Sequence, residues 1–500
     1  MKRITLMMAV AMLPLLIWSQ PVSNEPEKDK AVSVTAGTES VVKHSISFKG
    51  GKLSYTTTAG YLGIRNDTGK VIAKVFYTYY QKDNEKVENR PIVFCFNGGP
   101  GSSSVWLHMG GLAPRRVLLD DEGKAPNPPY TIVDNEYTWL DKADLVFIDP
   151  VSTGYSRPAP GEKPSQFHGY VEDLSSVGAF INHFLSKQQR WASAKFLAGE
   201  SYGTTRAAGL SKYLQDRYRI YLNGIILISA VLNFGSNDYY VGNDLPRALY
   251  IPSFTAAAWY HKKLAPALQA DLQKTLRESE AFALGEYAGA LLKGGWLSES
   301  EKEKVAEKMS YYTGLSKTYC LQSNLRVTED RFYKELRRAD GLTIGRLDAR
   351  FTGRDLEDGG ESVSFDPSFS NIDGPFTATM NDYFQRELKF TTNDDYNIFG
   401  NVRPWNYNNV QNQFLNVAES LRDAMSKNPS LKVYLGGGFY DFATPYFTAQ
   451  YDLEHMFLRP EQRNRVRTHW YESGHMYYIH KPSLIQFKKD MDAFFDWSSK

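Results

Sequence analysis

Cysteine is nearly missing from this 500-residue chain: Cys95 and Cys320 are the only two. A scaffold stapled by several disulfides is therefore excluded. Cys95, inside the apolar run 91–96, reads as a buried strand thiol rather than half of a bridge. Neither sign of charge is in excess. Lys and Arg number 58 against 56 Asp and Glu, a formal net charge of +2, which leaves no electrostatic footprint for nucleic acid. Past the N-terminal stretch, no run approaches the ~18 consecutive apolar residues of a membrane-spanning helix. Internal repeats and low-complexity tracts are lacking too. What remains, with 42% hydrophobic residues, is the composition of a globular protein long enough to bury a large core.

The first residues have their own pattern. Met1-Lys2-Arg3 is basic, 6–18 is apolar, and Ser19 and Gln20 follow, the layout of a secretory signal peptide over 1–19. No cysteine closes the apolar stretch, so a bacterial lipid anchor is not expected. The expectation is an exported chain, periplasmic or secreted, with no stable membrane anchor. Scarce cysteine fits a compartment where folding does not depend on disulfides, such as a periplasm. Residues 20–40 are polar and aperiodic, which predicts a disordered lead-in.

From 41 to 80 short alternating runs are broken by Gly50-Gly51 and Asn66-Asp67-Thr68-Gly69, predicting antiparallel hairpins. Continuous apolar strands then appear at 91–96, 144–148, 196–198 and 224–229. Between them, 171–185 carries apolar residues on one helical face. Strands alternating with helices predict an α/β class with a mostly parallel central sheet covered on both faces. The alternation stops over 237–407, where helices are expected at 254–264, 266–279 and 301–313 and an irregular Gly/Asp-rich stretch at 352–374. This segment reads as an inserted, largely helical cap between two parts of one core, 41–236 and 408–500. Strands return at 431–436 and 466–470, and an amphipathic helix bearing Leu484, Phe487, Met491, Phe494 and Phe495 ends the chain.

The chemistry is concentrated at Gly199-Glu200-Ser201-Tyr202-Gly203. Gly-x-Ser-x-Gly between a strand and a helix holds its serine on a tight turn with the hydroxyl exposed. The turn aims the Tyr202 N–H and the positive helix start at an oxyanion forming beside Ser201. A serine hydroxyl needs a base within reach, and the base needs an orienting carboxylate. Among nine histidines, His475 in Glu472-Ser473-Gly474-His475-Met476 alone sits in a loop after a late strand among small residues. Asp441 is the first carboxylate after the preceding strand; Asp452, farther on in an apparent helix, is its rival. His475 and His480 lack the spacing and glutamate of a zinc motif, so no metal and no cofactor are expected. The aromatics Trp470, Tyr471, Tyr477 and Tyr478 read as packing.

These motifs, in this order, resemble the serine carboxypeptidases, a branch of the α/β-hydrolases. The resemblance also covers Asn97-Gly98-Gly99-Pro100-Gly101-Ser102-Ser103-Ser104 and Phe147-Ile148-Asp149-Pro150-Val151-Ser152-Thr153-Gly154-Tyr155-Ser156, but not the cap. It implies an α/β-hydrolase fold, a triad of Ser201, Asp441 and His475, and an oxyanion hole made by the N–H groups of Gly99 and Tyr202. It further implies that Asn97 and Glu200 hold a peptide's terminal carboxylate, Glu200 only when protonated. The chain departs from the family at three places: Ser102 where a cysteine is common, Cys95 where a tryptophan often stands, and Gly111 where a second glutamate of the carboxylate site is expected. Arg115 or Arg116 could supply a replacement, although two arginines after a proline also read as a solvated face.

The expected function is serine-type carboxypeptidase action on peptide or protein C-termini through an acyl-enzyme. An esterase or acyltransferase using the same triad is the alternative, and an exported binding protein without catalysis the third. Side-chain preference and oligomeric state are not encoded in any of these motifs.

Overall fold

The computed structural model describes residues 39–48 and 51–499; the expected signal peptide, and all but the end of the 20–40 lead-in, lie outside the described residues. The chain opens with β1 (Ser40–Phe48), β2 (Gly51–Arg65) and β3 (Val71–Lys82), an antiparallel meander. Four parallel-type strands follow: β4 (Ile92–Phe96), β5 (Asp144–Ile148), β6 (Lys195–Ser201) and β7 (Gly224–Ala230). The last two are β8 (Lys432–Gly438) and β9 (Val466–Tyr471). Together with a short strand at Arg157–Pro158 beside β3, they form one ten-stranded sheet in the order β1-β2-β3-β5-β4-β6-β7-β8-β9. Every pair from β5 to β9 along that order is parallel, and β3 joins β5 antiparallel. This is the mostly parallel sheet of an α/β-hydrolase.

Strand alternation divides the core into two faces. Ile92, Phe94, Leu197, Ile225, Leu227, Val433 and Leu435 face helices α1 (Tyr170–Lys187) and α2 (Tyr202–Tyr218). Val93, Cys95, Phe196, Ala198, Ile226 and Ile228 face the opposite way, onto a layer that includes Trp139 and the last helix. Both cysteines are buried and unpaired.

Segment 237–407 is built on α3 (Leu245–Tyr260), α4 (Glu299–Thr313) and α5 (Pro367–Asp382), with shorter helices between them. Several boundaries differ from expectation. The first helix starts nine residues earlier than 254 and tolerates Pro252 inside it. The expected 266–279 helix is two, Pro266–Gln269 and Leu272–Phe282, because the Asp271 carboxylate accepts from Lys274 N and caps a new start. The stretch read as irregular ends at Asp366, whose side chain accepts from Ser368 N and starts α5 with proline in its first turn. Strands Arg115–Val117 and Ile132–Asp134 pair antiparallel, a short two-stranded sheet outside the expected elements. Beyond the segment come α6 (Ala418–Lys427), α7 (Tyr446–Glu454) and α8 (Lys481–Ser498). No helix of the described residues is long and apolar enough to cross a membrane.

The inward stripe of α8 closes the second face. Phe487 is fully buried and meets Trp139, Tyr471 and Tyr477 edge-on at ring separations of 5.4, 6.0 and 4.9 Å. Phe487→Ala is expected to destabilise the fold by about 3–5 kcal/mol, the cost of an aromatic-sized cavity. Urea unfolding checks this; a loss below about 1 kcal/mol would mean that α8 is not needed to seal the core.

Candidate active site

Ser201 ends β6 with φ 58° and ψ −130°, a strained conformation for a residue with a side chain, and Tyr202 starts α2 directly after it. So sharp a reversal brings strand and helix together. A Cβ on Gly199 would lie 2.1 Å from the carbonyl oxygen of Gly203, and one on Gly98 would lie 2.4 Å from Tyr202 N. The glycine loop after β4 therefore crosses the start of α2. Gly99 is exposed there, and its N–H, like that of Tyr202 at the helix start, has no protein acceptor among the described residues.

Two side chains that carry no motif hold this junction. Arg206, on the second turn of α2, donates to Asn97 O (2.7 Å) and to Asp173 Oδ2 on α1 (2.7 Å). Both members of that ion pair are buried. The Phe147–Ser156 motif acts at one remove. Asp149 Oδ1 accepts from the N–H and hydroxyl of Ser104, both at 2.8 Å, and fixes the far end of the glycine loop. Burial pushes the Asp149 carboxyl up to about 6, against the pull of those hydrogen bonds.

The loops after β8 and β9 are joined by Tyr440 N donating to Ser473 O (3.0 Å) and by their side chains. His475 Nδ1 lies 2.7 Å from Asp441 Oδ2, both residues being buried. The acid is clamped in turn: Oδ1 accepts from the N–H groups of Ala443 (2.7 Å) and Thr444 (3.1 Å), and Oδ2 from the Thr444 hydroxyl (2.9 Å). Because a carboxylate there only accepts, Nδ1 carries the imidazole proton and Nε2 is left as the basic nitrogen. The His475 backbone is tied at both ends, its N–H to Leu347 O (2.6 Å) and its carbonyl to the Ser229 hydroxyl (2.6 Å). Burial alone would lower the His475 pKa, but the Asp441 charge and hydrogen bond, with Glu200 behind them, raise it above its ordinary value. Asp452 is not part of this cluster; it accepts from Asn233 N at 3.1 Å.

Ser201, His475, Gly99, Asn97 and Glu200 line a single cavity of about 360 Å³, with Trp106, Phe369, Ile372 and Phe399 as its apolar wall. Ser201 Oγ and His475 Nε2 face this space without a hydrogen bond between them; such bonds commonly tighten only around a substrate. Asn97 Nδ2 donates to Glu200 Oε2 (3.0 Å), and the Tyr478 hydroxyl donates to the same oxygen. Glu200 Oε1 lies 3.8 Å from His475 Nε2. Burial drives the Glu200 carboxyl up to about 7, partly offset by His475 and by the Tyr478 and Asn97 donors.

The departures noted in the sequence acquire physical content here. Gly111 lies against Tyr478: a Cβ there would stand 3.1 Å from the Tyr478 Cβ. Tyr478, read as packing, thus fills the space that a side chain at Gly111 would need and donates to Glu200 itself. Ser102 Oγ accepts from the Trp106 indole at 2.9 Å and shapes the wall. Cys95 belongs to the core beneath the sheet. Neither Arg115 nor Arg116 reaches the cavity: Arg115 pairs with Glu387 (2.7 Å) and Asp134, and Arg116 with Glu136 (3.4 Å). The arginine that does line it is Arg346, which no motif or periodicity marks. Among the described residues no cluster of three or more His, Cys, Asp or Glu could hold a metal ion.

The profile of the serine carboxypeptidase family matches residues 48–478, most of the chain and every site residue above. The chain belongs to the serine carboxypeptidase family. Similar curated proteins include serine carboxypeptidase-like 2 of Arabidopsis thaliana, 28% identical over 41% of this chain and 45% of that protein. Carboxypeptidase Y of Schizosaccharomyces pombe is 30% identical over 29% of this chain and 13% of that one. The matches thus span less than half the length of these relatives. Among solved structures, proline iminopeptidase of Mycobacterium smegmatis aligns over 88% of this chain and 99% of that one, at 13% identity and a TM-score of 0.37.

Arg206→Met would strand the Asp173 carboxylate in the core and free the Asn97 carbonyl. A destabilisation of about 3–5 kcal/mol is expected in urea unfolding; a variant as stable as the parent would show that the elbow does not depend on this pair.

Proposed function

We propose that this protein is a serine-type carboxypeptidase acting on peptide or protein C-termini. The observation that carries the reading is the imidazole of His475, bonded to Asp441 and opening with its free nitrogen into the cavity that Ser201 and the Asn97–Glu200 pair share. Ser201 Oγ attacks the scissile carbonyl as its proton passes to His475 Nε2. The N–H groups of Gly99 and Tyr202 take the oxyanion, each donor being worth about 2.7–4 kcal/mol. Collapse breaks the C–N bond, and the amine leaves with the proton from His475. Water then loses a proton to Nε2, attacks the acyl-enzyme and releases the shortened peptide.

Asn97 and protonated Glu200 would hold the substrate's terminal carboxylate, Asn97 through its amide and Glu200 through its acid proton. An exported location, periplasmic or secreted, accords with the basic and apolar pattern of 1–19. A second reading, esterase or acyltransferase, is favoured by one feature: Glu200 has Tyr478, packed against Gly111, as its partner where the resemblance implies a second carboxyl.

Ser201→Ala is expected to abolish labelling by a serine-directed phosphonate and to lower release of C-terminal residues by about 10⁶-fold. Retained turnover would end the triad reading. The ratio of kcat/KM for a peptide with a free C-terminus to that for its amide separates the two reaction classes, because the His475 contribution cancels. Glu200 is neutral below about 7 and donates to the substrate carboxylate; above that it is a second negative charge. The ratio should therefore exceed one at acidic pH and fall as pH rises through about 7. Glu200→Gln should flatten the profile, and Tyr478→Phe, which removes a donor favouring the ionised form, should shift the fall upward. A ratio near one throughout would favour the esterase or acyltransferase.

A further inference from the structure

Arg346 lines the cavity and is open to solvent there, yet its guanidinium has no hydrogen-bonded or ion-paired acceptor among the described residues. Its own hydrogen bonds are backbone only: its N–H to Asp366 Oδ1 (3.1 Å) and its carbonyl from Phe442 N (3.1 Å). The neighbouring acid does not neutralise it by contact. Asp366 Oδ1 is taken by Ser368 N (2.9 Å), the Ser368 hydroxyl (2.5 Å) and Arg346 N, and Oδ2 by Leu347 N (3.4 Å), because this carboxylate caps α5. The next arginine in the chain behaves differently, Arg350 closing on Asp348 at 2.7 Å. A guanidinium has five donors and stays charged. Exposed in the cavity, all of them are left to solvent, so a carboxylate arriving with the ligand meets a fork that no described residue occupies.

The position of Arg346 decides which part of the ligand it meets. Its carbonyl bonds the residue after Asp441, and the next carbonyl, that of Leu347, bonds His475 N. Arg346 therefore stands on the Asp441–His475 side of Ser201, whereas Asn97 and Glu200 stand on the side of the glycine loop. This inference rests on the carboxypeptidase reading: with the terminal carboxylate at Asn97 and Glu200, the departing residue fills that side, and the residue on the acyl side of the scissile bond turns toward Arg346. We propose that Arg346 is a specificity-determining residue that selects an acidic side chain, aspartate or glutamate, in the penultimate position of the substrate. The carboxylate matches the guanidinium fork and supplies the acceptors it lacks.

The test uses aryl phosphonates whose phosphorus-bearing residue has either a glutamate side chain or its uncharged glutamine counterpart, with inactivation rates measured on the full chain. No turnover is needed, so the subsite is read apart from peptide cleavage. The wild-type protein should react about 10- to 100-fold faster with the acidic probe, the range of a charge-assisted hydrogen bond. In Arg346→Met the ratio should drop to about one, and Arg346→Lys should keep a preference of the same sign. Equal rates in the wild type, or a preference surviving in Arg346→Met, would overturn the proposal while leaving the triad intact. If neither probe labels Ser201, the carboxypeptidase reading falls and takes this one with it. Equal wild-type rates overturn the proposal without any variant, and if Arg346→Met fails to fold, Arg346→Gln makes the same comparison.

Discussion

Parallel pairing of β4, β6, β7, β8 and β9 puts the carboxyl ends of these strands along one edge of the sheet. The loops leaving that edge carry Asn97 and Gly99, Ser201, Asp441 and His475, residues separated by up to several hundred positions in sequence. A one-residue slip in any pair would turn the side chains that end the strand to the other face. The core enforces the register: Phe196 and Ala198 face α8 while Leu197 faces α1 and α2, so a slipped β6 would bury neither set properly. The chemistry at the edge is thus paid for by apolar burial below it.

Within that frame, strain and electrostatics are localised. Ser201 holds a left-handed backbone at an energetic cost of about 1–3 kcal/mol, and the crowding around Gly98 and Gly199 leaves it no room to relax. Four ionisable groups then share a small volume. Asp441 anchors the protonated face of His475, Glu200 Oε1 lies near its basic nitrogen, and Arg346 lines the same cavity without a bonded acceptor among the described residues. Burial pushes Glu200 toward its neutral form while Tyr478 and Asn97 donate to its charged form. This balance places its titration near neutrality, where a change of proton alters what the cavity attracts.

Much of this was legible in the sequence, for a local reason. The elbow pentapeptide, the glycine loop and the Gly-His loop are short segments whose backbone demands are written in adjacent residues, and strand periodicity gave the parallel core. Features that depend on distant partners left no such trace. Arg206 reads as one more charge on a helix until it meets Asn97 O and Asp173; Tyr478 reads as one more aromatic until Gly111 lets it approach Glu200. Arg346 lies in a loop without period, and its meaning comes from having no bonded acceptor among the described residues. The start of α5 was missed although Asp366-Pro367 is a helix-start signal, because Gly374 and Pro375 inside the helix disguised it.

The most direct measurement is a crystal structure of the protein inactivated with an aryl phosphonate. Phosphorus should be bonded to Ser201 Oγ, with one phosphonyl oxygen between the N–H groups of Gly99 and Tyr202 and His475 Nε2 within hydrogen-bond distance of the adduct. Phosphorus on another residue, or that oxygen turned away from both N–H groups with His475 out of reach, would contradict the convergence on which the site depends.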